Sequence, residues 1–327
     1  MRILIRTLLV CLSLIAAQAF AGSGADYSTT ATESSTGESQ SPFPFEFDAE
    51  YTYIGDSDAE RGFRKVRDFD ENYLSARALY TPRIAVGILR LGAAYERYEF
   101  GLPAFSLVHT LPLIPGEPRG FLVGRPQIPG TLQSVSAVIG LDTRFSDSIL
   151  FRIEAQPGFY GTRNLSGDTF NVPVVLGGTY IYNTNLQFIL GASIDYERKY
   201  PVFPGGGVRW RFASQWVLNA ALPTPRLEYE VNNNVTLYAG ADVKGSTFRV
   251  SDDFGVARGD RRLNRAILTY SEIRTGAGVD WKITPDLKLS VEGGYLPYRQ
   301  FDYYRADVRY TQRDAAPYGS VAFRAAF

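Results

Sequence analysis

An all-β fold, an antiparallel transmembrane β-barrel of about 12 to 14 strands with short periplasmic turns and long extracellular loops, is what this sequence predicts. Three observations predict it. Apolar and charged residues alternate with period two in segment after segment. Very tight polar breaks alternate with long excursions. An export leader precedes a chain in which no later stretch approaches the ~18 consecutive apolar residues of a membrane helix.

The leader is MRILIRTLLVCLSLIAAQAFAGSG. Arg2 and Arg6 flank the start of an apolar run from Leu8 to Ala17, and small residues offer cleavage after Ala19 or Ala21. Residues 1–21 are therefore expected to be a cleaved signal peptide. The run is shorter than the roughly 20 residues a helix needs to span a bilayer. Val10 stands where a lipidation signal requires a small residue before Cys11, so a lipid anchor is not expected. Cleavage would remove the single Cys and the single Met, which leaves no disulfide framework and no thiolate metal site. Residues 22–42, rich in Ser, Thr and Gly, cannot bury enough apolar surface to order themselves and are expected to form a flexible periplasmic leader.

The barrel is expected over residues 43–327. In FPFEFDAEYTYI, the residues Phe43, Phe45, Phe47, Ala49, Tyr51 and Tyr53 fall on one strand face, and Glu46, Asp48 and Glu50 on the other. The division recurs where Ile149, Phe151 and Ile153 oppose Arg152 and Glu154, and where Val208, Trp210 and Phe212 oppose Arg209 and Arg211. It recurs again where Leu227, Tyr229 and Val231 oppose Glu228 and Glu230, where Leu289 and Val291 oppose Glu292, and where Val321, Phe323, Ala325 and Phe327 oppose Arg324. Charges of both signs thus share one face of distant strands. In a membrane barrel that face is the lumen and the apolar face meets lipid. Tyr and Phe, 21 of each, suit membrane interfaces better than a charged soluble surface.

Tight breaks fall at Thr81-Pro82, Ser146-Asp147-Ser148, Asn183-Thr184-Asn185, Ala213-Ser214-Gln215, Asn232-Asn233-Asn234 and Thr284-Pro285-Asp286. Between them lie excursions at Gly55 to Arg64, Gly101 to Gly130, Pro157 to Phe170, Tyr200 to Gly206, Ser251 to Leu263 and Arg299 to Asp307. A soluble sandwich has no reason to sort its connections by length. Segments such as Thr131 to Phe145 exceed the common strand of about 5 to 6 residues. The strand number depends on one hairpin, around Pro223-Thr224-Pro225, whose arms are short for full spans.

The ending SVAFRAAF resembles the closing-strand signal of bacterial outer-membrane β-barrels, with Phe327, Ala325, Phe323 and Val321 at alternate positions. The resemblance implies recognition by the barrel-assembly machinery and pairing of this strand with the first, which removes the sheet edge. The run PRLEYEVNNNVTLYAGADVKG resembles outer-membrane barrels known only as a domain of unknown function. That likeness implies a fold and no activity.

Function is less legible. The 34 basic and 34 acidic residues balance, and no basic patch suggests nucleic acid. Of the basic residues only Lys65, Lys199, Lys244, Lys282 and Lys288 are lysine; the rest are arginine, which forms forked pairs with carboxylates and phosphates. The lone His109 lies near Ser106 in the longest excursion, but spacing alone makes no Ser–His pair, and an outer-membrane lipid hydrolase is disfavoured. Glu228/Glu230 and Asp252/Asp253 lack the ligand series of a calcium loop, so neither metal nor cofactor is expected. The charged run Ala257 to Arg265 reads as an exposed loop, with lipopolysaccharide phosphates as its alternative partner. Gly101 to Gly130, rich in Pro and apolar residues, either folds into the barrel, caps it, or packs on the rim. The leading expectation is an outer-membrane pore for passive or facilitated passage of a small solute. The alternative is a closed envelope barrel that acts structurally or binds ligands through its outer loops.

Overall fold

The computed structural model describes residues 44–109 and 121–327. The expected signal peptide (1–21), the Ser/Thr/Gly leader (22–42) and residues 110–120 lie outside them. The wall consists of β1 (Phe45–Arg61), β2 (Arg64–Tyr80), β3 (Gly87–Phe100), β4 (Thr131–Ser146), β5 (Ile149–Ala155), β6 (Val174–Asn183), β7 (Leu186–Ile194), β8 (Val202–Arg211), β9 (Trp216–Asn219), β10 (Arg226–Glu230), β11 (Val235–Lys244), β12 (Ile267–Thr284), β13 (Leu287–Tyr303) and β14 (Ala316–Ala326). Each strand pairs antiparallel with the next, and β14 pairs with β1 from Glu46↔Ala326 to Ile54↔Tyr318, so 14 strands close. The doubtful hairpin around Pro223 is part of the wall: β9 and β10 pair with each other and with β8 and β11.

Closure follows from the pattern of the last strand. The Phe327 amide donates to the Phe45 carbonyl at 2.8 Å and the Phe45 amide to the Phe327 carbonyl at 3.3 Å, so the edge ends on a reciprocal pair. Val321, Phe323 and Phe327 are exposed on the outer face. Ala325 is buried, being a small side chain in register between Phe47 and Leu287. Around the wall the outward positions are large and apolar, for example Phe47, Ile153, Leu190, Trp210, Leu237 and Val291, all exposed. Such a surface is stable only against lipid.

Three expected excursions are instead strand. Gly55 to Arg64 carries β1 to Arg61, because a bulge between Ile54 and Ser57 breaks the alternation without ending the pairing. Tyr200 to Gly206 contains the start of β8, whose Gly205, Gly206 and Gly207 read as a turn in sequence. Arg299 to Asp307 continues β13 to Tyr303. In each case long-range pairing overrides local composition.

The barrel has two tiers. Beyond β5 the chain resumes at Gly158–Gly161 and stays beside β4. Beyond β11 it resumes at Thr247–Arg249 beside β12. These two segments meet, Arg249 pairing in parallel with Gly161. Val308–Gln312 fills the place between β13 and β1 above β14. A shorter circuit therefore closes at the loop end and leaves out β6 to β10. It encloses a dry core that includes Phe69, Tyr98, Phe100, Tyr270, Phe301 and Tyr303. Edge-to-face contacts such as Phe100–Phe301 (5.1 Å, 75°) and Tyr98–Tyr270 (4.8 Å, 62°) each add about 0.5–1.5 kcal/mol beyond burial.

Candidate functional site: the lumen

Side chains from strands that are not neighbours can meet only through the interior of a closed barrel, and such meetings define the lumen. At the turn end lies a vestibule whose walls are paired charges. Arg324 on β14 pairs with Asp48 on β1 across the closing seam, and Arg90 donates to Glu46 at 3.3 Å. Arg152 grips Asp142 with two bonds of 2.5 and 2.7 Å. Arg211 forms a fork with Glu230, both bonds 2.7 Å, and Arg209 reaches Glu228 at 3.5 Å. Glu292 accepts the Tyr318 hydroxyl. Water reaches this level: the Arg211 and Glu230 side chains remain 34% and 33% exposed.

Above it the pairs cross the lumen. Glu50 of β1 binds Lys244 of β11 through both oxygens, at 2.6 and 2.5 Å, and Arg274 of β12 at 3.0 Å. On the other side Glu154 of β5 receives Arg77 of β2 at 2.6 Å and Arg90 of β3 at 3.5 Å. Together these contacts form an ionic belt that ties β1 to β11 and β12, and β5 to β2 and β3. Arg274 also reaches Glu272 at 2.6 Å and stacks 4.9 Å from the Tyr73 ring. Higher still, the Tyr270 hydroxyl lies 2.7 Å from Glu71 and 2.6 Å from Glu272, while Arg299 approaches Glu71 at 3.3 Å and the Phe69 ring at 5.0 Å. Arg299 and Glu71 are 0% exposed, which marks the boundary between wet vestibule and dry tier.

Each of the eleven charges singled out by alternation has a polar partner on another strand. Alternation missed Arg77, Arg90, Asp142, Lys244, Arg274 and Arg299, the residues that complete the belt and its roof. Their strands carry aromatic, small or apolar residues at neighbouring inward positions, such as Tyr73, Ser75 and Leu79 beside Arg77, which blurs the polar face. One local signal was available in TGAGVD. Side chains at the inward Gly276 and Gly278 would collide with the Tyr318 hydroxyl and the Tyr238 ring, so these glycines make room for tyrosines of other strands.

The mouth is capped by loops. Ser106–His109 pairs with Phe121–Gly124 and, at Val108, with Arg64 of β2, so this part of the Gly101 to Gly130 excursion extends the wall. The Ser106 hydroxyl donates to the Gly124 carbonyl at 3.0 Å. Residues 125–130 turn inward, where Gln127 and Ile128 are buried and Gln127 accepts the hydroxyls of Tyr303 and Tyr310, each at 2.9 Å. Arg258 of the charged loop donates to the Pro126 carbonyl at 2.7 Å, and Phe254 and Leu263 of the same loop join the dry core. Asp260 receives Arg262 at 3.0 and 2.8 Å, and these hydrogen bonds hold its carboxyl below the usual range. Asp252 faces Arg265 at 3.3 Å on an exposed loop.

No curated protein matches the chain. Among solved structures, similar folds include the toluene transporter TbuX of Ralstonia pickettii (9% identity, 87% of this chain and 90% of that one, TM-score 0.38). They also include an outer membrane channel of Pseudomonas putida F1 (11%, 89% and 100%, 0.41) and the Pseudomonas putida toluene transporter TodX (13%, 95% and 96%, 0.35). Likeness at this level identifies no substrate. A family profile matches residues 155–324, just over half of the chain, from the end of β5 into β14. The chain belongs to that family, described as a domain of unknown function, DUF6268.

Proposed function

We propose that this protein is an outer-membrane pore for small solutes, held shut in this conformation by the ionic belt and the aromatic tier. The observation that carries the reading is the vestibule: a water-accessible lumen floor on a 14-strand wall, lined by charges of both signs. Barrels of about eight strands are filled by their side chains and those of about 16 to 18 hold an open channel, so 14 strands provide room that a purely structural barrel does not need. The balanced pairs favour no ion sign strongly. Opening requires both the belt and the packed aromatic tier to part.

Purified protein refolded into planar bilayers tests this. Discrete conductance steps are expected. Complete silence from a barrel shown to be folded by its heat-dependent gel mobility would overturn the pore reading. A second reading is supported by the capped mouth, where loops 125–130 and 251–266 seal the dry tier: a closed envelope barrel working through its outer surface. Silence would leave that one standing.

A further inference from the structure

Tyr270 sits at the joint between the ionic belt and the dry tier. Its ring packs on Tyr98, Phe100 and Phe301, with centroids 4.8, 5.6 and 5.1 Å away, while its hydroxyl meets the charges. That hydroxyl lies 2.7 Å from Glu71 of β2 and 2.6 Å from Glu272 of its own strand, β12. Glu71, Tyr270 and Glu272 are all 0% exposed. Outward on β2, Leu74 gives way to Asn72 and Asp70 at this level, so the cluster stands at the loop-side end of the lipid-facing band.

A phenol carries one proton and donates one hydrogen bond at a time. Two carboxyl oxygens at these distances are therefore one more than it can serve. The second contact is a hydrogen bond only if that carboxyl is itself the donor, which requires a proton on it. Two ionised carboxylates on one phenol oxygen, away from water, would repel each other.

The neighbouring cations decide between the two carboxyls. Arg274 comes within 2.6 Å of Glu272 and compensates its charge. Arg299 of β13 approaches Glu71 only to 3.3 Å, and none of its guanidinium nitrogens makes a hydrogen bond among the described residues; nor does Glu71 Oε1. The other ionisable groups on this face are Tyr73 of β2 and Tyr98 and Glu96 of β3. Beyond Arg274 stand Glu50 of β1 and Lys244 and Asp242 of β11. Ion contacts of 3.5 Å or less thus join four carboxylates, Glu50, Glu71, Asp242 and Glu272, to three cations, Lys244, Arg274 and Arg299. One proton on Glu71 makes that set neutral.

We infer that Glu71, Tyr270 and Glu272 form a proton-held latch: Glu71 donates its proton to the Tyr270 oxygen, Tyr270 donates to Glu272, and loss of the Glu71 proton as pH rises frees β2 from β12. The inference rests on the pore reading for its effect on current, but not for the proton itself. In the release step the Glu71 O–H bond breaks, its electron pair stays on the carboxylate, and the proton passes to vestibule water. Tyr270, facing two ionised carboxylates, then loses its place among the rings of the tier. A shut state that keeps a proton which a hydrated, open one gives up is favoured by acid. Each pH unit above the range of a hydrated carboxyl, about 4.3, shifts the balance toward opening by up to about ten-fold, until the shut state loses the proton too.

Two readouts on the whole protein separate the proton from the pore. Infrared spectra of wild type in lipid at about pH 6.5, where hydrated carboxyls are ionised, should show the carbonyl stretch of a protonated carboxyl. That band should vanish in wild type by about pH 10 and be absent from Glu71→Gln, whose amide donates as the protonated carboxyl does. In planar bilayers, wild-type openings should become about ten-fold more frequent between about pH 5 and about pH 8, while Glu71→Gln stays as closed at both as wild type in acid. Absence of the band, its persistence at about pH 10, or an equal pH response in folded Glu71→Gln overturns the latch. The wild-type band alone decides the case if the variant does not fold. A silent wild type that shows the band overturns the pore reading by itself, and the titration of the band then stands as the test of the proton.

Discussion

The vestibule and the aromatic tier are made by the same strands, yet they solve opposite problems. At the turn end β1 contributes Glu46 and Asp48, whose partners Arg90 and Arg324 stay partly hydrated. At the loop end the same β1 contributes Ile54 and Ala59, which are fully buried, and β12 and β13 supply Leu268, Tyr270 and Phe301 to the core. The difference arises from circumference. Fourteen strands cannot fill their interior with side chains and leave a wet floor, whereas the shorter circuit closed by Arg249 and Gly161 draws the walls together until rings interlock. Stability is therefore expected to concentrate in one tier and solute handling in the other.

The contrast breaks most readily in the packed tier. Phe301→Ala should cost about 3–5 kcal/mol, the range for removing a large buried aromatic side chain, read as earlier unfolding in urea for detergent-solubilised protein. A vestibule truncation of comparable size, Arg211→Ala, should cost far less. Equal losses would mean that the tiers do not differ in this way.

The boundary between the tiers gives the next effect. Glu50→Gln leaves Lys244 of β11 and Arg274 of the neighbouring β12 side by side without their shared carboxylate. The loss should be roughly 2–3 kcal/mol, below the ~3–5 of a fully buried pair because vestibule water reaches Glu50. The reversal potential under a salt gradient should shift toward anion preference, and an unchanged potential would remove Glu50 from the conduction path.

The smallest effect belongs to the floor. A double-mutant cycle on Arg211 and Glu230 should give a coupling of about 0.2–1 kcal/mol, as for other hydrated ion pairs. That coupling should vanish in ~1 M salt. A coupling that survives high salt would show the vestibule to be drier than its exposure indicates.

Legibility in the sequence follows the same division. Alternation found the charges of the floor because each belongs to a strand whose other face is uniformly apolar, as with Arg209 and Arg211 around Trp210. It could not find the aromatic tier. Phe69, Tyr98 and Phe301 are ring residues turned inward, and a period of two does not distinguish inside from outside when both faces are apolar. Nor could it separate the inward Gly205 from a turn glycine, since that distinction is made by the pairing of β8 with β7.

What the sequence determined by itself is the membrane barrel, its closing strand and the charged inner face, because period-two patterning and turn spacing are local properties of the chain. What only the tertiary structure decided is where the barrel narrows, which carboxylate meets which cation across the lumen, and that β6 to β10 stop short of the upper circuit. Those features depend on the register of Arg249 against Gly161 and of Glu50 against Lys244 and Arg274, contacts between residues far apart in sequence whose geometry no local pattern encodes.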